Sequence, residues 1–174
     1  MRSIEIPDPS MVVLIGAAGS GKSTFAAAHF EADEILSSDA YRRMLTGDAA
    51  DQRASGLAFR RLHEELSRRL ARSRLTVVDA TNVTPHARRV LVGRARDADL
   101  PAVAIVLDLP TEVVHARNRG RVERVVPEDV VDRHLAALRD TIASGRLDAE
   151  GFAVVHRFTD GTVLDDLRIV RRRG

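Results

Sequence analysis

The chain alternates short, apolar runs with longer stretches in which apolar residues recur every three or four positions. Met11-Val12-Val13-Leu14-Ile15 and Ala102-Val103-Ala104-Ile105-Val106-Leu107 have no polar member. Such runs are strands buried on both faces of a parallel sheet. Leu75-Thr76-Val77-Val78-Asp79 and Glu34-Ile35-Leu36-Ser37 predict two more strands that end on polar residues. Phe152-Ala153-Val154-Val155-His156 predicts a fifth, Leu167-Arg168-Ile169-Val170 an edge strand, and Ser3-Ile4-Glu5-Ile6 a small N-terminal one. Helical patterns lie between them. Phe59, Leu62, Leu66 and Leu70 form one stripe, with arginines around the other faces. Thr84-Pro85 supplies an N-cap and a first-turn proline ahead of Ala87, Val90, Leu91, Ala95 and Ala98. Pro127 opens a further helix with Glu128 and Asp129 at its positive end. Gly47 to Gln52 reads as a mobile loop. This order predicts an α/β fold with a central, mostly parallel sheet flanked by helices, as a single domain over residues 1–174.

Composition sharpens that picture only at the margins. The chain has 174 residues, 44% hydrophobic and 30% charged, as a soluble globular domain would. No apolar run approaches bilayer length and no signal-peptide pattern is present, so no membrane partner is expected. The absence of cysteine excludes disulfides and thiolate metal sites and suits a cytoplasmic location. A net charge of +2 is no argument for nucleic acid, and 3% aromatic residues argue against a base-stacking platform. The pI near 9.8 comes from arginine, because Lys22 is the only lysine. The six histidines show no metal-ligand spacing and read as surface or packing residues.

That lysine belongs to the most informative run of the chain, Gly16-Ala17-Ala18-Gly19-Ser20-Gly21-Lys22-Ser23, followed by Thr24. It fits G-x-x-x-x-G-K-[ST] at every fixed position, between an apolar run and a helical pattern. Glycines let successive N–H groups turn toward phosphate oxygens, and the helix that follows adds its positive end. Lys22 can reach the terminal phosphates, and the Ser23 hydroxyl can hold a magnesium ion bridging them. The run predicts binding of ATP or another nucleoside triphosphate.

Ligands of open parallel sheets sit beyond the carboxyl ends of the strands. Asp39 and Asp79 fall at two such ends, beside the phosphate loop. Spacing alone leaves Asp39 as either a base for an acceptor hydroxyl or the N-cap of Tyr41-Arg42-Arg43-Met44-Leu45. Asp79 reads as support for the magnesium shell or as a turn aspartate. Arg117, Arg121 and Arg124, four and three residues apart, fall on one helical face. That face is either solvated or part of a lid over about 116–127 that brings an arginine finger to the transferring phosphoryl group.

Taken together, Pro9 to Lys22, Ser37-Ser38-Asp39, Val77-Val78-Asp79-Ala80-Thr81-Asn82-Val83 and Arg117 to Pro127 resemble the 5'-hydroxyl polynucleotide kinases. The likeness is greatest to the N-terminal kinase module of bacterial polynucleotide kinase-phosphatases, enzymes of RNA end healing, and it runs from Met1 to about Val170. It implies a P-loop kinase fold and transfer of the γ-phosphate of ATP to the 5'-hydroxyl end of RNA or DNA. Lys22 and Ser23 would hold phosphates and magnesium, Asp39 would be the general base, and Asp79 would order the metal. Arg42 would grip the phosphate of the incoming strand. Arg117, Arg121 and Arg124 match lid arginines, with Arg121 nearest the finger. Full-length relatives carry phosphatase and ligase modules that nothing here matches, so an excised kinase module is expected, with a homodimer one admissible assembly. Two other classes stay open: a P-loop small-molecule kinase for a nucleoside, sugar or antibiotic, and a nucleotide-gated switch. The pairing of Asp39 with Arg42 speaks for a strand over a neutral metabolite, and Asp39 speaks against a switch.

Overall fold

The computed structural model describes residues 2–48, 52–122, 124–164 and 166–173. Of the loop expected over 47–52, residues 49–51 lie outside the described residues, as does Glu123 of the arginine-rich run. Five strands form the central sheet: Ile35–Ser37 (β3), Thr76–Asp79 (β4), Met11–Ile15 (β2), Ala102–Leu107 (β5) and Val154–Phe158 (β6), side by side in that order. Every pairing among them is parallel. β2 and β5 are buried throughout, which is why their sequences carry no polar residue.

The two-residue period of β2 divides its side chains between two cores. Met11, Val13 and Ile15 pack with Leu62, Leu66 and Leu70 of α3 (Ser55–Leu70) and Leu91 and Ala95 of α4 (Pro85–Asp97). Val12 and Leu14 face the other way, onto Phe25 and Ala26 of α1 (Lys22–His29) and Ile4 and Ile6 of β1 (Arg2–Asp8). A third, smaller apolar cluster joins Ala17 and Ala18 to Val114 of α5 (Thr111–Arg119) and to Val131 and Leu135 of α6 (Glu128–Ala143). Thr84 caps α4 by accepting the Ala87 N–H at 3.3 Å, with Pro85 in the first turn. No helix among the described residues is long and apolar enough to cross a membrane.

Three expectations change. The fifth strand starts at Val154 rather than Phe152, following Gly151 at φ 93. Leu167–Arg173 (β7) is not an edge of the central sheet; it pairs in parallel with β1. Its Leu167 and Ile169 pack with Ile4, Ile6 and Phe30 there. On α3 the buried stripe is Ala58, Leu62, Leu66 and Leu70, a strict four-residue repeat. Phe59 sits one helical step off it and is 38% exposed.

One buried charge braces the site from behind. Arg88 on α4 is wholly buried and forks onto Glu150 at 2.6 and 2.8 Å. It also donates to the Thr141 hydroxyl at 3.1 Å and to the Asn82 carbonyl at 3.0 Å. Asn82 in turn donates to the Leu14 carbonyl at 2.8 Å, and Gly16 N–H to the Thr81 carbonyl at 3.0 Å. The Asp79-to-Asn82 turn is thus stitched to the start of the phosphate loop.

Candidate active site

The chain leaves β2 at Ile15, turns through Gly16–Gly21 and enters α1 at Lys22. Gly19 and Gly21 have φ of +88 and +93, which side-chain-bearing residues rarely adopt. A Cβ on Gly19 would also lie 2.6 Å from the Val114 carbonyl oxygen and 2.9 Å from Asn118 Cβ. Glycine there lets α5 press directly on the loop. A cavity of about 1030 Å³ opens in front, lined by Ala18, Gly19, Gly21, Lys22, Ser23 and Thr24 among others. Gly16, Ala17 and Ser20 of the same run do not line it. Lys22 Nζ donates to the Ala17 carbonyl at 2.8 Å and to Ser20 Oγ at 3.5 Å. Burial pushes the Lys22 ammonium down to about 8, with Asp79 opposing the shift and Arg121 and Arg124 adding to it.

At the end of β4, Asp79 is 5% exposed and accepts the Ser23 hydroxyl at 2.7 Å. A hydroxyl and a carboxylate side by side at the loop are hard oxygen donors, and they fit magnesium. Among the described residues no group of three or more His, Cys, Asp or Glu could cage a metal ion. Magnesium needs no such cage, since it keeps waters and takes phosphate oxygens.

The neighbouring strand delivers the other carboxylate. Ser37 pairs with Asp79 across β3 and β4, and α2 (Ser38–Thr46) follows directly. Ser37 caps that helix by accepting the Ala40 N–H at 3.4 Å, so Asp39 is not its N-cap. Asp39 instead faces the cavity and meets three guanidinium groups: Arg42, Arg124 at 2.6 Å and Arg121 at 3.5 Å. Burial, with help from Arg124, pushes the Arg42 guanidinium down to about 10. Burial and then Arg121 also lower Arg124, against the pull of Asp48.

Arg117, Arg121 and Arg124 do not share a helical face. Helix α5 stops at Arg119 with Gly120 as its C-cap, and α6 begins at Glu128. The buried amide of Asn118 closes the segment between them, donating to the Val126 carbonyl at 2.7 Å and accepting its N–H at 3.1 Å. Arg121 and Arg124 leave from this loop and reach Asp39. Arg117, still helical, lies instead beside Gly21 and Gly161, 3.5 Å from the Ser20 carbonyl. Two cavity residues carried no signal in the spacing. Phe59 lines the wall from α3, and His134 does so from α6, its Nδ1 accepting the Ala18 N–H at 3.4 Å. Both look like ordinary members of amphipathic helices until the fold places them on the cavity wall.

A phosphate loop leading from a central parallel strand into a helix, with carboxylates at two neighbouring strand ends, defines a nucleotide-binding P-loop fold of the kinase type. The chain belongs to the AAA domain family, whose model matches residues 11–144. No curated protein matches it. Among solved structures it is similar to a chain of the Pnkp1/Rnl/Hen1 RNA repair complex, at TM-score 0.68 and 21% identity, covering 80% of this chain and 47% of that one. The chain therefore spans about half the length of that protein. It is also similar to a gluconokinase from Sinorhizobium meliloti 1021, at TM-score 0.57 and 21% identity, covering 92% and 88% of the two chains. A sugar kinase from Janibacter sp. HTCC2649 follows, at TM-score 0.51 and 20% identity, covering 94% and 84%. At such identities the shared property is the fold.

Proposed function

We propose that the chain transfers the terminal phosphate of ATP to the 5'-hydroxyl of an RNA or DNA strand. The observation that carries this reading is the single cavity holding both the phosphate loop and the Asp39–Arg42 pair. The loop amides and Lys22 hold the donor phosphates, and Ser23 with Asp79 would hold magnesium, which neutralises phosphate charge when bound. Asp39 takes the proton of the attacking hydroxyl as its oxygen bonds to the γ-phosphorus and the bond to the β-phosphate oxygen breaks. Arg121 and Arg124, which rest on Asp39, pass to the transferring phosphoryl group, a stronger anion, and so clear the carboxylate for its work. Arg42 grips a phosphate of the acceptor strand with its planar fork. The RNA repair complex among the structural neighbours supports the reading at the level of fold.

A small-molecule kinase is the second reading, favoured by the gluconokinase and sugar kinase that match along nearly their whole lengths. Transfer of label from γ-labelled ATP separates the two. A 5'-hydroxyl oligonucleotide or a nucleoside 3'-monophosphate should be phosphorylated far better than the bare nucleoside or a panel of sugars including gluconate. Arg42→Ala should remove most of that gap and Arg42→Lys restore only part of it. Equal use of nucleoside and nucleotide, or preference for a sugar, overturns the polynucleotide reading.

A further inference from the structure

A phosphate loop works by offering backbone N–H groups to phosphate oxygens, yet one amide of the run is already taken by a side chain. The Ala18 amide donates to His134, a residue of α6 whose ring lines the same cavity as Lys22 and Ser23. The helix that carries the ring is anchored against the loop. Val131 and Leu135, one turn before His134 and one residue after it, are buried in the cluster that contains Ala17 and Ala18 themselves. To accept that N–H, Nδ1 must carry no proton. The surroundings enforce this state: burial first, then the cations Lys22, Arg133 and Arg124, push the imidazolium down to about 4. Those groups come from the loop's end, from α6 and from the lid, and all bear the same sign.

We propose that His134 is a donor-phosphate ligand: its neutral ring occupies the Ala18 amide in the free protein, and an arriving triphosphate takes over that amide while His134 gains a proton and donates to the terminal phosphate. The proton comes from solvent and ends on Nδ1, and no covalent bond to phosphorus changes. The cause is a reversal of the local field. Burial and the cations that disfavour the imidazolium are together outweighed once a polyanion lies against the ring, which becomes one more charge-assisted donor in the cradle. This role concerns the nucleotide side alone and holds whatever the acceptor is.

The test is the titration of the His134 ring, followed by NMR on 13C-labelled histidine and assigned through bonds in the wild-type protein. With magnesium and a non-hydrolysable ATP analogue, its midpoint should rise by about three units, from about 4 to near neutrality. Magnesium with ADP should raise it less. A histidine that merely packs would keep its depressed midpoint in all three states, and that result overturns the proposal. A second readout is the dissociation constant of the analogue at pH 6 and pH 8, in wild type and His134→Gln. The analogue's own terminal phosphate titrates in this range and cancels between the two proteins. Wild type should tighten from pH 8 to pH 6 by about tenfold more than the variant, as follows when the midpoint rises from about 4 to about 7. Identical pH slopes in wild type and variant also overturn it.

Discussion

Asp39 and Asp79 leave neighbouring parallel strands and open on the same cavity, but their surroundings differ in kind. Asp79 is 5% exposed and takes a neutral hydroxyl, that of Ser23, at 2.7 Å. The side chain of Asp39 is 26% exposed and is shared by Arg42, Arg121 and Arg124. The first arrangement leaves a carboxylate charge to be matched by a cation with oxygen-seeking chemistry. The second matches the charge with groups that can move to a phosphate. Under the proposed function, one carboxylate stays in place and the other is uncovered.

The largest expected effect breaks the mobile side of this pair. Asp39→Asn is nearly isosteric and should leave ATP binding intact, but an amide cannot take the hydroxyl proton. Single-turnover transfer should fall by about a hundredfold to ten-thousandfold. An unchanged rate would leave Asp39 as a tether for arginines and nothing more. Removing one tethered arginine should cost less. Arg121→Ala should lower the rate constant by about a hundredfold, as the loss of one donor to developing charge does. The dissociation constant of ATP should change much less, because charge on the phosphoryl group grows only toward the transition state. A defect confined to affinity would make Arg121 a surface charge.

The fixed carboxylate should fail differently. Asp79→Asn weakens one oxygen donor beside Ser23, so the magnesium concentration for half-maximal transfer should rise by about ten- to a hundredfold. Saturating magnesium should then recover most of the rate. No magnesium concentration should recover Asp39→Asn. If excess metal rescued both variants, or neither, the contrast between the two sites would collapse.

The sheet was legible because β2 and β5 are wholly apolar and β4 ends on a polar residue, a pattern that survives without knowledge of neighbours. The phosphate loop was legible because its glycine positions are demanded locally, by positive φ at Gly19 and Gly21. What escaped depends on contacts distant in sequence. The three-and-four spacing of Arg117, Arg121 and Arg124 suggests a helix that Gly120 ends, and only the Asn118–Val126 closure shows where two of these arginines go. The cap-or-base ambiguity of Asp39 turned on Ser37, two residues earlier and equally able to cap. β7 reads as an edge strand, yet its partner is β1 at the far end of the chain. Arg88 and His134 each sit on helices whose patterns admit an exposed polar residue at that position, and only the tertiary fold buries the one and aims the other.

The smallest effect concerns a wall rather than a charge. Phe59 fell out of the α3 stripe by one position and is exposed, whereas the other phenylalanines and Tyr41 are buried or half-buried. It lines the cavity together with Ser55, Asp39 and Arg42. If the acceptor is a strand, its terminal base has a π-face for this ring, and stacking of that kind contributes about 1–3 kcal/mol. Phe59→Ala should then raise the KM for an oligonucleotide by about tenfold, within that range, while kcat and the KM for ATP stay near wild type. Phe59→Leu, which keeps apolar bulk without the ring, should recover only part of the loss. A sugar acceptor has no base and would feel no such stacking, so equal KM values in wild type and Phe59→Ala would favour a sugar-kinase reading. A loss shared by kcat and both KM values would instead mark Phe59 as a prop of α3, since a contact made only by the acceptor cannot alter ATP.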